Sequence, residues 1–565
     1  MIQNILKPLA IVAALSVAIP GEACTSLVAT PGATKNGSSM VTYAADSHTL
    51  YGELYHQPAA DHPAGAKRPV VEWDTGKYLG EIDEVPHTYA TIGNMNEHGL
   101  TIAESTWGGR GELVGSGLID YGSLIYITLQ RARTAREAIK VMTDLVDRYG
   151  YSSSGESFSI ADPDEVWVME LIGKGKADKG AVWVARRVPD GYISGHANHS
   201  RIHRFPLKDK ETLYSKDVVS FARKMGYFDG KDADFDFSRA YAVYDMGALR
   251  GCDARVWAYF RRFAPNGEMD SYLAWVTRGE GDPMPLWVKP QDKLSAADLK
   301  NMMRDHFEDT PLDMTKDIGA GPYHVPYRWR PMSYVVDSVE YTHERAIATQ
   351  QTGFSFVADI NKNRHDAMRG ILWFGVDDAN TCVYVPVFNS TPEPPHQLAH
   401  GNGDMLTLSW DAMFWVNNYV ANQAYNRYSQ MIGDIRQVQS GLERDMEAAA
   451  LKAETDVAAM DYAAARDYLA GVTNFWTAKA TSDYKTLGDK LFVKFLDGNI
   501  KRQNDDGTFA RTPDGMPLSP FYGGYDERYF RSIVEQEGDR LKVIDVSKAA
   551  VNPGSKLYKP AVAGH

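Results

Sequence analysis

Cys24 stands directly behind two small residues in the run Gly21-Glu22-Ala23-Cys24-Thr25-Ser26. If the chain is cut after Ala23, Cys24 becomes its first residue and carries a nucleophilic sulfur and an α-amine together, so the amine can act as the base that activates the thiol. An unperturbed α-amine titrates near ~7.7–8, which leaves a good fraction neutral at physiological pH. Thiolate attack on an amide carbonyl would give a tetrahedral oxyanion and then a thioester, which water activated by the same amine would hydrolyse. Such a site needs donors for the oxyanion and charges that hold amine and thiol in place. By pattern the candidates are Asp46 at a strand end, Asn198 in GHANHSRI and Arg255 in CDARVWAYFRR. Spacing does not link them, and each also reads as a turn aspartate, a loop asparagine or a surface arginine.

Other constellations fail on their spacing. His199 could pair with a cysteine as in papain-like enzymes, but Cys24 lacks the surrounding sequence expected there, which favours a structural or substrate-lining histidine. Asp359, Asn361 and Asn363 imitate the opening of a calcium loop, yet Arg364 stands where the turn glycine belongs and Gly370 where the bidentate glutamate belongs. Asp232, Asp234 and Asp236 fail similarly, with Phe237 at the turn position. No HExxH, GxxxxGK[ST] or GxSxG pattern occurs. The Trp410, Phe414 and Trp415 cluster reads as helix packing.

The elements that must position these residues begin with an export signal. Residues 1–23 carry Lys7, an apolar run from Leu9 to Ile19, Pro20, and small residues where a signal peptidase reads. The run is short of the ~20 apolar residues of a membrane span. The alternatives are a buried N-terminal helix, or a lipoprotein signal, which would place a Leu-like residue where Gly21 stands. Beyond it, CTSLVAT and SSMVTYAAD flank the turn-forming PGATKNG, predicting a hairpin whose first strand Cys24 opens and whose second ends at Asp46. Asn96 to Gly99 reads as a turn between strands. Thr134 and Glu137 form a capping-box pattern ahead of Ala138, Val141, Met142, Leu145, Val146 and Tyr149, an amphipathic helix. Ser295 to His306 reads as another capped helix.

Strands, helices and strands again predict a layered α+β fold. The sequence divides into a signal peptide (1–23), a catalytic domain (24–404), a helical region of several helices packed on it (405–500), and a C-terminal extension (501–565). The formal charge of −13, from 60 basic and 73 acidic residues, excludes a nucleic-acid footprint. No later stretch is long and apolar enough to insert in a membrane, so the expected location is the periplasm or the extracellular space. Three cysteines exclude a disulfide-built scaffold and leave open whether Cys252 and Cys382 pair.

Read together, CTSLVAT, NEHGLTIAEST, ANHSRI, PLWVKPQDKLSAADLKNMMRDHFEDTPLDMTKD, RGILWFGVDDANTCVYVPVF and SWDAMFWVNNYVANQAYNRY resemble the bacterial cysteine dipeptidases related to the secernins, within the N-terminal nucleophile (Ntn) hydrolases. The resemblance covers most of residues 24–435. It implies a four-layer αββα sandwich of two antiparallel sheets, hydrolysis of dipeptides or related small amides, no metal or other cofactor, and maturation by signal peptidase. By position it makes Cys24 nucleophile and base, Asp46 the binder of its amine, Asn198 the side-chain oxyanion donor, and Arg255 the arginine that steadies the nucleophile.

The chain also departs from that pattern. Relatives carry Arg-Asn in the strand before the aspartate, where this chain has Tyr43 and Ala44, so a positive charge beside the thiol comes from elsewhere or is missing. Thr106 stands near the acylases' second oxyanion asparagine, and Glu104 is a candidate partner for a substrate ammonium group. The leading expectation is an exported cysteine-type dipeptidase. Its rivals are an N-acyl amidohydrolase of the bile-salt hydrolase or penicillin acylase type, and a secreted binding protein on an inactive Ntn scaffold.

Overall fold

Two antiparallel sheets organise the computed structural model, which describes residues 24–547; the export signal expected over residues 1–23 lies outside them. The hairpin predicted around PGATKNG is the centre of the first sheet. Strand β1 (Ser26–Ala29) pairs antiparallel with β2 (Ser39–Asp46), Val28 opposite Val41. Thr25 adds a bridge to Ala44, so the start of one strand and the end of the other come to the same edge. The sheet has seven strands: Ile193–His196 and Trp287–Val288 lie beyond β1, and Thr352–Ile360, Gly370–Val376 and Val385–Phe388 lie beyond β2.

The second sheet has eight strands, with Thr101–Gly108, Gly155–Ala161, Val166–Gly173 and Ala181–Arg187 at its middle. Strands of this kind, buried over most of their length, need apolar or hydrogen-bonded side chains on both faces. Between the sheets both solutions occur. Val28, Val41, Ala103 and Val168 belong to one apolar core, while His196 bonds Ser105 at 2.7 Å and Ser159 at 2.9 Å, and Ser159 accepts from Ser26 at 2.8 Å. Burial, with Arg201 and Arg255 nearby, pushes the His196 imidazole down to about 3, so it bridges the sheets as a neutral ring.

Helices cover the outer faces. Helix α1 (Tyr121–Leu129) and helix α2 (Ala135–Tyr149) close the eight-stranded sheet over a second apolar core. The Thr134 side chain caps α2 by accepting from the Glu137 amide, but the Glu137 carboxylate bonds the Arg133 amide at 2.8 Å and not that of the cap residue, so the reciprocal half of the expected box is displaced by one residue. At Ser295 and Asp298 the full box forms, ahead of the Ala296–Met302 helix.

The region from 405 to 495, expected as several helices, forms two long ones, Met413–Val457 and Tyr462–Lys494. A single non-helical residue, Arg427, interrupts the first. Both pack against the seven-stranded sheet and share its core through residues such as Val416, Ile435, Leu469 and Leu487. Cys252 and Cys382 are both unbridged. No helix among the described residues is long and apolar enough to cross a membrane.

Candidate active site

The hairpin brings Cys24 and Asp46 to the same edge of the first sheet, where both line one small cavity. Cys24 is 2% exposed. Its wall is aromatic, with Tyr43, Trp73, Tyr121, Tyr126 and Phe354. Gly122 of α1 permits this arrangement, because a Cβ there would lie 2.4 Å from the Trp73 ring. Ser47 and Tyr121 form the common border with a larger polar cleft that includes Thr106, Glu156, Asn198, Arg255, Arg330 and Arg345.

Arg255 ties the backbone of Cys24 to the Asn198 corner. It is 1% exposed, and its Nη1 donates to the Cys24 carbonyl and to Thr25 Oγ1, both at 2.7 Å. Its Nη2 donates to the Ala197 carbonyl at 3.3 Å and to Asn198 Oδ1 at 2.8 Å. A planar guanidinium can serve several acceptors at once from a fixed fork. Burial, reinforced by Arg345, lowers its pKa to about 10, which leaves it charged at neutral pH.

Asn198 follows the Ile193–His196 strand in a left-handed conformation, φ 52°, which asparagine tolerates better than most residues. Its backbone amide donates to Ser105 Oγ at 3.2 Å and its side-chain amide to the Thr106 carbonyl at 2.6 Å. Thr106 itself donates to Glu156, the residue opposite it in the neighbouring strand, at 2.7 Å.

Asp46 is held from a direction the sequence did not indicate. Arg345 pairs with its Oδ2, and Thr352 donates to its Oδ1 at 2.7 Å. The same guanidinium reaches Thr25 Oγ1 at 3.4 Å, so Arg255 and Arg345 both converge on the residue after the cysteine. Nothing in the sequence around Arg345 sets it apart from other arginines, and only its tertiary partner distinguishes it.

Tyr43 occupies the place where an arginine was expected. Its hydroxyl lies 3.6 Å from Cys24 Sγ and donates to Glu104. Burial, together with Cys24 and Glu104, raises the phenol's pKa well above the ordinary value, so the hydroxyl stays neutral. Glu104 is fully enclosed. Burial raises its carboxyl, and hydrogen bonds with Tyr43, Glu156 and Cys24 only partly offset that effect.

His199 sits apart from these groups. Its Nδ1 bonds Asp253 at 2.9 Å and its ring meets Tyr244 edge-on. Burial opposes ionisation of Asp253, but His199, Arg201 and Trp275 outweigh it and hold the carboxyl below its usual range. The structure therefore gathers Cys24, Tyr43 and Asp46 at one cavity, and Thr106, Asn198 and Arg255 at the adjoining cleft. Glu104 stands behind Tyr43, and His199 belongs to a separate buried pair.

The profile of Peptidase family C69 matches residues 23–441. A probable dipeptidase of Latilactobacillus sakei is 23% identical over 433 residues, which cover 72% of this chain and 82% of that protein. A probable dipeptidase of Salmonella dublin is 27% identical over 335 residues, 55% of this chain and 71% of that protein. A dipeptidase of Bifidobacterium longum is 24% identical over 409 residues, 69% of this chain and 67% of that protein.

Proposed function

Because the chain belongs to Peptidase family C69, a cysteine dipeptidase family of the Ntn type, we propose that it is an exported cysteine-type dipeptidase whose nucleophile is Cys24, freed by removal of residues 1–23. The observation that carries this reading is the Arg255 clamp, which fixes the carbonyl of residue 24 and the Asn198 side chain with one guanidinium. Two antiparallel sheets with helices on their outer faces support the Ntn sandwich.

In the mature chain the α-amine takes the thiol proton and Sγ attacks the scissile carbonyl. Asn198 supplies the side-chain donor to the oxyanion, while Asp46, with Arg345 and Thr352 behind it, holds the amine. Collapse of the intermediate breaks the C–N bond, and the ammonium returns its proton to the leaving amine. Water activated by the same amine then hydrolyses the thioester and restores the thiol. Tyr43, in place of an arginine, gives the thiol a neutral hydroxyl neighbour and not a cation.

The acidic residues Glu72, Asp74 and Glu156 at the cleft favour a substrate with a free ammonium group over an N-acylated one. Intact mass and N-terminal sequencing of the exported protein should find an unblocked chain starting at Cys24. That protein should cleave free dipeptides and spare their N-acetyl forms. Cys24→Ala should fold and lose at least about 10³-fold in turnover. A mature chain that starts elsewhere, or a Cys24→Ala variant with substantial activity, would contradict the reading.

A further inference from the structure

Three guanidinium groups line the polar cleft beside the thiol cavity, and they differ in what neutralises them. Arg345 is paired with Asp46. Arg255 is enclosed and held by backbone carbonyls, a threonine hydroxyl and an amide oxygen. Arg330 faces solvent, and its Nε and Nη2 both donate to one neutral acceptor, Gln351 Oε1, at 3.3 and 3.0 Å. Among the described residues no carboxylate forms an ion pair with it, because Asp46, the acid whose field reaches it, is already engaged by Arg345 and Thr352.

The field of Arg330 is felt nearby. Burial lowers the pKa of His48, and Arg330 lowers it further. Burial likewise lowers Arg330 itself, with Arg345 adding to the effect, as expected where positive charges outnumber their partners. Gln351 orients the fork without neutralising it. A guanidinium held in this way is suited to a planar, two-oxygen anion, which it can meet with parallel hydrogen bonds. The same cleft carries Glu72, Asp74 and Glu156, so it offers both signs of charge to a zwitterion.

We propose that Arg330 binds the α-carboxylate of the substrate and thereby selects peptides with a free C-terminus next to the scissile bond. The assignment rests on the dipeptidase reading and names the residue that confers its exopeptidase character. Arg330 acts on substrate binding and takes no part in proton transfer.

The test compares a free dipeptide with its C-terminal amide on mature wild type, Arg330→Ala and Arg330→Lys. Expected is a rise in KM for the free dipeptide of about 10- to 100-fold in Arg330→Ala, with kcat within about threefold and the amide unaffected. Arg330→Lys, which keeps the charge and loses the fork, should recover part of the difference. Equal changes for both substrates, or none for either, would overturn the assignment. Calorimetry in a Cys24→Ala background separates this outcome from failure of the hydrolytic reading. If wild type cleaves no dipeptide but Arg330 still confers a preference for the free carboxylate, the binding assignment stands and the activity does not. If the Cys24→Ala protein binds no dipeptide, or binds dipeptide and amide alike, the assignment is wrong whatever the turnover.

Discussion

The Tyr43 hydroxyl lies 3.6 Å from the Cys24 sulfur and donates its proton to the enclosed Glu104. A neutral phenol therefore stands between the Cys24 thiol and a buried acid. The Tyr43 ring is fixed separately, by edge contacts to Phe354 and Phe356.

Tyr43→Phe keeps those ring contacts and removes the donor. Glu104 would then lose one partner inside a buried site, which costs about 1–3 kcal/mol. Urea denaturation should show a loss of that size. A variant as stable as wild type would mean that Glu104 finds an equivalent donor.

Glu104→Gln tests the same acid through pH. Its carboxyl titrates above the ordinary 4.5 when folded. Between the two values the folded chain keeps a proton that the unfolded chain has released, so stability falls as pH climbs through that window. The glutamine variant should lack this decline and gain on wild type as pH rises above 4.5. Denaturation curves collected at several pH values check it; a stability difference that does not change with pH would refute it.

His196 gives the opposite slope. Its folded pKa of about 3 lies below the ordinary 6.5, so the unfolded chain binds the extra proton first and stability falls as pH drops from 6.5 toward 3. His196→Gln should lose less stability than wild type on acidification over that range, read as a smaller fall in midpoint temperature.

The Asp46–Arg345 pair is buried at both ends. Removing one partner leaves an uncompensated charge, so Asp46→Asn should cost about 3–5 kcal/mol, whereas adding Arg345→Met should restore part of the loss. A double-mutant cycle on the unfolding free energy measures the coupling, and strict additivity would show that the pair is not linked.

Arg255→Lys preserves charge but cannot span the five acceptors of the guanidinium, which include the Gly251 carbonyl. The Cys24 and Ala197 carbonyls, Thr25 and Asn198 would compete for one ammonium. Expected are a destabilisation on the order of 3 kcal/mol and a fall in kcat with KM for dipeptides little changed. A change confined to KM would assign Arg255 to ground-state binding.

Much of this site could be read from local sequence. Turn residues between two strand-like runs marked the β1–β2 hairpin, whose open end carries Cys24 and Asp46. The Thr134 cap and its apolar period marked α2. What stayed hidden was tertiary. Arg345 reaches Asp46 from 299 positions away, and no local pattern separates a buried arginine from a surface one. The Tyr43–Glu104 contact spans 61 positions between strands of different sheets. His199 shares a segment with Asn198 yet turns to Asp253, because neighbouring residues outside a regular strand need not face the same way. The helical region could be read as helical, but its length per helix depended on whether one break or several interrupted the period.

The two long helices are joined to the rest of the fold, including the seven-stranded sheet and the loop between its last two strands, by polar anchors as well as apolar packing. Glu443 pairs with Arg304 and accepts the Tyr384 amide, Tyr484 donates to the Thr381 carbonyl at 2.9 Å, and Asn417 to that of Val376 at 3.0 Å. A protein shortened to residues 1–404 would expose a broad greasy plane and strand those hydrogen-bonding groups in it. Anyone seeking a minimal version of this molecule should expect insoluble aggregates from that cut, and should trim from the far end instead, keeping Phe495, which is buried in the core, and Ile500, which packs against it.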